Sequence, residues 1–114
     1  MSVSAINVKY LVKSFKSYLE RTLNIDFYYY ECDTFIYGFE GSHVKVDKDT
    51  YFYRFILDLE KNKSSVYFIK TLDSIQTIIE NVSGIEAITS YYNHYNRFIN
   101  DKKNEGKTLV RFTR

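Results

Sequence analysis

Val8, Leu11, Val12, Phe15, Leu19 and Leu23 recur at three- and four-residue intervals, which places them on one stripe of a helix. Lys9, Lys13, Lys16 and Glu20 fall on a second stripe, about 90° round at 100° per residue. Ser2 or Ser4 is a suitable cap, because a hydroxyl there accepts from an open backbone amide. Asn24 tolerates the left-handed conformation common after a last turn, so the helix should end there.

From Ile25 to Thr71 the pattern becomes extended. Tyr, Phe, Ile and Val dominate, and they suit a pleated surface. "IDFYYYE" and "TFIYGF" are separated by Cys32 and Asp33, which predicts a hairpin with Asp33 in the turn. "EGSHVKVDKDT" reads as a polar connection with a short strand at 43–46. "YFYRFILDLE" alternates: Tyr51, Tyr53, Phe55, Leu57 and Leu59 face one way, and Phe52, Arg54, Ile56, Asp58 and Glu60 the other. "KNKSS" is a turn, and "VYFIKT" returns antiparallel.

Helical spacing resumes at Ile75, Ile78, Ile79 and Val82, with Asp73 as cap and Gln76 three residues on. Ser83 and Glu86 then form a capping-box pair that opens another helix. Its apolar stripe is Ile85, Ile88, Tyr92, Tyr95 and Ile99, flanked by Tyr91 and Phe98. Lys102 and Lys103 suit its carboxyl end and Gly106 stops it. "KTLVRFTR" closes the chain as a strand. The predicted fold class is therefore α+β: an N-terminal helix, an antiparallel sheet of about four to five strands, two C-terminal helices and a final edge strand. At 114 residues, the chain should form a single compact domain over 1–114.

Charge narrows the function classes. The chain has 16 basic and 14 acidic residues, a net of +2, whereas a dedicated duplex-DNA binder carries a larger excess or a basic block. The lone Cys32 has no disulfide partner and no metal-spaced companion, which fits a reducing compartment and a cytoplasmic location. The lysine-interrupted amino terminus is too polar for a signal peptide or membrane span. There is no proline or tryptophan, while tyrosine reaches 12 and phenylalanine 9. That bias, with abundant Lys, Asn and Ile, fits an AT-rich coding sequence, such as a phage or other mobile element of a low-GC host.

The aromatic run "NIDFYYYECDTFIYGFEG" admits three readings. Phe27, Tyr29, Phe35, Tyr37 and Phe39 can be plain core or sheet residues. The rings can form a protein-binding face, since Tyr, Phe and Arg are enriched in interface cores. They can also stack bases beside a basic groove. The ring-bearing strand of RNA-recognition motifs starts with a basic residue ahead of its glycine. Tyr37 and Glu40 stand here instead, and the element order differs, so that family is set aside.

Other chemistry is sparse. Cys32 reads as a small strand-end residue, and His43 and His94 as solvated or locally hydrogen-bonded histidines without a second ligand at metal spacing. Asp47, Asp49, Asp58 and Glu60 raise a metal-dependent nuclease, but Asn62 stands where a common nuclease core places lysine. The four glycines are too scattered for a phosphate-cradling loop. No cofactor, metal ligand or catalytic residue is assigned.

The expectation is a small non-enzymatic protein-binding module, an inhibitor or adaptor that occludes a partner surface. Tyr28, Tyr30, Tyr37, Arg54, Asn93 and Arg97 are its candidate contacts. A homodimer through an uncovered sheet edge or face is compatible with this. The alternative is a nucleic-acid binder using Lys9, Lys13, Lys16 and Arg21 with Lys102, Lys103, Lys107, Arg111 and Arg114, should those clusters converge.

Overall fold

A computed structural model describes residues 5–71 and 74–111. The chain runs α1 (Ala5–Leu23), β1 (Tyr28–Asp33), β2 (Ile36–Val46), β3 (Asp49–Asp58), β4 (Lys63–Lys70), β5 (Ser74–Val82), α2 (Gly84–Asn104) and β6 (Leu109–Arg111). The strands form a six-stranded sheet in the order β1-β2-β3-β4-β5, with β6 on β2, and every pairing is antiparallel. β1 pairs with the first half of β2 and β6 with the second. β5 forms the opposite edge.

The α+β architecture agrees with the hydrophobic pattern, but the segment predicted as a second helix is a strand. Ile75, Ile78, Ile79 and Val82 lie on β5, where two register irregularities interrupt the pairing with β4. A bulge inserts an unpaired residue and resets the alternation, so a strand can mimic helical spacing. The β-branched content of "SIQTIIENV" was the competing signal. One helix therefore follows the sheet, not two.

Two boundaries also move. The first hairpin turns at Thr34–Phe35, with Phe35 at φ 60°, rather than at Cys32–Asp33. The expected polar connection is the second half of an 11-residue β2, bulged between Gly41 and Val44. The missing side chain of Gly41 makes room for Phe27: a β-carbon there would stand 2.7 Å from its Cδ1. The proposed caps Ser2, Ser4 and Asp73 lie outside the described residues, as does Arg114. Ser83 does cap α2, its side chain accepting from the Glu86 amide at 3.2 Å, and Gly106 follows its end at φ 76°.

Both helices pack on one face of the sheet. Val8, Val12, Leu19 and Leu23 of α1 join Phe39, Tyr53, Phe55, Leu57, Val66 and Phe68 of the strands in one core with Ala87, Ile88 and Tyr91 of α2. Phe15 meets Phe39 edge-on at 5.0 Å, and Tyr91 meets Tyr53 edge-on at 4.6 Å. Each such ring pair adds about 0.5–1.5 kcal/mol beyond area burial. The apolar stripe of α2 is rotated from the expected one: Ile85 is 72% exposed, and Tyr91 is buried in its place. Tyr92 projects sideways and donates its hydroxyl to the Thr22 carbonyl at 2.9 Å, tying α2 to the end of α1.

Candidate functional site

Because β-strand side chains alternate, the residues between those core positions stand on the helix-free face. The register places Tyr28 opposite Glu40, Tyr30 opposite Gly38, and Glu40 opposite Arg54. These residues form one cluster. Tyr28 donates its hydroxyl to Glu40 Oε1 at 2.8 Å, and Arg54 Nε donates to Oε2 at 3.1 Å. The Glu40 carboxylate is thus held from two sides and buried, although no helix covers it. Buried carboxylates persist only when paired and hydrogen-bonded in this way.

Around this pair lie rings. Tyr28 and Tyr30 are 6.4 Å apart and tilted by 36°. Tyr28 is 55% exposed. The Tyr30 ring closes over Gly38, where a β-carbon would stand 2.5 Å from its Cζ. On β4, Tyr67 faces Arg54 across the ladder and donates its hydroxyl to Glu80 Oε2 at 2.7 Å. Desolvation first, then the hydrogen bond to Glu40, pushes the Tyr28 phenol up to about 12. Desolvation also raises Tyr30 and the Cys32 thiol. A raised thiol is the reverse of what nucleophilic activation requires.

The predicted contacts do not form one surface. Tyr28, Tyr30 and Arg54 come together. Tyr37 lies on the other face, in a cleft of about 370 Å³ with Val8, Val12, Tyr29 and Phe35, because it is one residue out of step with Gly38. Asn93 and Arg97 line a separate polar cleft between α2 and β5. The basic residues are also dispersed. Lys9 borders the Tyr37 cleft, near the start of β2. Lys107 and Arg111 flank the far end of that strand, about 25 Å away at ~3.3 Å per residue. Lys13 and Arg21 line a shallow depression with Tyr10. Lys16 pairs with Glu20, Lys102 with Glu105 and Lys107 with Asp47, while Lys103 is exposed.

Neither histidine is simply solvated, and His94 is hydrogen-bonded. His43 lies in β2 and stacks on Phe52 at 5.5 Å. His94 packs against Phe68 and Tyr53, with Nδ1 2.7 Å from the Tyr53 hydroxyl. The acidic residues serve turns and pairs. Asp58 Oδ1 accepts from the Glu60 and Lys61 amides. Asp47 accepts from the Thr108 amide, and Asp49 pairs with Lys70. Asp49 and Asp58 close opposite ends of β3, and no group of three or more metal-ligating side chains occurs among the described residues.

Glu40 was missed by sequence reasoning because its partner is set by strand register, and "EGSHVKV" reads locally as loop. No family model matches the chain, and no curated protein or solved structure matches it. Among the described residues, no helix is long and apolar enough to cross a membrane.

Proposed function

We propose that the chain is a non-enzymatic protein-binding module whose helix-free sheet face, centred on Tyr28, Tyr30 and the Glu40–Arg54 pair, seats on a partner protein and occludes it. One observation carries this reading: the Tyr28 and Tyr30 rings gather around the Glu40–Arg54 ion pair rather than beside a basic groove. The cation set among them, Arg54, is spent on Glu40 at 3.1 Å, which leaves this cluster of rings with balanced charge. Base stacking works with a basic groove alongside the rings, whereas protein interfaces favour Tyr and Arg in a charge-depleted centre. Anchors already held by Tyr28–Glu40 and Arg54–Glu40 contacts also lose less freedom on binding. An inhibitor or adaptor role follows from occlusion without chemistry.

Nucleic-acid binding is the second reading, and the outer side of α1 favours it. Tyr10, 70% exposed, shares a shallow depression with Lys13 and Arg21.

The deciding experiment is capture of partners from source-cell lysate, with and without nuclease, by the wild-type protein and by Tyr28→Ala/Tyr30→Ala. Circular dichroism would verify that the variant is folded. A protein retained after nuclease and lost with the double variant supports the sheet-face reading. Capture that the double variant leaves intact sinks it. Capture that vanishes with nuclease and falls steeply with salt moves the function to α1.

A further inference from the structure

The open cleft between α2 and β5 has a volume of about 320 Å³ and is lined by Gln76, Thr77, Ser90, Asn93, His94 and Arg97, with Ile78 at its wall. Ser90, Asn93, His94 and Arg97 follow helical spacing, so they present one face of α2 to the cleft. Every polar lining residue offers a hydrogen-bond donor, and no carboxylate lines it. We infer that this cleft is a binding site for a small oxyanion, a phosphate or carboxylate group, held by the Arg97 guanidinium and the surrounding side-chain donors.

His94 gives the site a defined polarity. The Tyr53 hydroxyl is wholly buried, and His94 Nδ1 is its hydrogen-bond partner at 2.7 Å. A buried hydroxyl hydrogen needs an acceptor, so the phenol donates and Nδ1 accepts. The proton of the neutral ring then sits on Nε2, and His94 is one of the residues lining the cleft. Desolvation and the charge of Arg97 both lower the His94 pKa, consistent with a neutral ring. The ring is held in place by Phe68 at 4.7 Å and Phe98 at 6.5 Å.

Arg97 is exposed and makes no ion pair with Asp101, four residues on. The neighbouring acids are directed elsewhere. Glu80 accepts from Tyr67 on the opposite face of the sheet, and neither Glu86 nor Asp101 lines the cleft. A guanidinium beside amide, hydroxyl and imidazole donors suits an oxyanion, because the planar fork can meet two of its oxygens at once.

The test is nuclear magnetic resonance titration of the full chain at pH 7.5 and constant ionic strength, with inorganic phosphate in one arm and acetate in another. The signals followed are the His94 ring and the Asn93 and Gln76 side-chain amides. The site predicts saturable shifts at these groups, weakened about tenfold or more by Arg97→Gln and unchanged by Lys61→Gln on the exposed β3–β4 turn. Asn93→Ala should weaken binding by a smaller factor. Saturation by phosphate alone identifies a phosphate site, and equal saturation by acetate a general carboxylate-type site. Absence of saturation in both arms, or equal losses in Arg97→Gln and Lys61→Gln, overturns the inference.

Discussion

The ring of Tyr30 occupies the space that a side chain at position 38 would fill, with its Cζ, hydroxyl and Cε2 all within 2.8 Å of a β-carbon built on Gly38. The two residues are direct cross-strand partners. A strand glycine leaves backbone uncovered, and an aromatic ring laid across it restores packing. Gly38→Ala must lift the ring or separate β1 from β2. We expect a loss of about 1–3 kcal/mol, the usual range for overpacking, measured by urea unfolding. In Tyr30→Ala the same glycine substitution should cost far less. Equal costs in both backgrounds would show that the ring does not set the requirement.

The Glu40–Arg54 pair should be strongly non-additive. Arg54→Met leaves a buried carboxylate with the Tyr28 hydroxyl as its remaining side-chain partner, a loss of about 2 kcal/mol after discounting for the partial exposure of Arg54. Glu40→Leu/Arg54→Met should recover much of that loss, because no uncompensated charge remains. Additive single and double losses in chemical denaturation would contradict the pairing.

His94 should make the fold acid-sensitive. Its pKa lies below the ordinary 6.5, through desolvation first and the charge of Arg97 second. The unfolded chain therefore binds a proton at higher pH than the folded one, so the His94 contribution is complete above about pH 6.5 and is lost as pH falls toward the folded value. Unfolding midpoints should drop more steeply below pH 6.5 in the wild type than in His94→Gln. Arg97→Gln should return the ring titration toward 6.5. A ring that titrates at or above 6.5 in the wild type would refute this.

At the alkaline end the sign reverses. Tyr28 rises from 10.0 to about 12, so its neutral form contributes stability that is full below pH 10 and lost as pH climbs through about 12. Difference ultraviolet titration of wild type against Tyr28→Phe should reveal a phenol ionising near 12. A difference spectrum centred at 10 would remove the hydrogen bond to Glu40 from the account.

Ser83→Ala removes the acceptor for the Glu86 amide and should cost about 1 kcal/mol. Thermal unfolding would show it, and Ser83→Asp, which keeps an acceptor, should restore most of the loss.

The amino-acid pattern determined the α+β class, α1, the alternation of β3 and the Ser83 cap. These depend on local periodicity, which a short window contains. The tertiary structure decided the identity of β5, since its register irregularities against β4 turn a strand into apparent helical spacing. It also decided which rings share a face. Tyr28 and Tyr30 are separated from Tyr37 by one step of strand parity, and that parity is counted across a turn whose position shifted. Glu40, His94 and the Asn93–Arg97 cleft were illegible for one physical reason: each derives its environment from residues at least 12 positions away in the chain. A carboxylate becomes buried and a histidine loses its solvent only when those distant strands and helices pack around them.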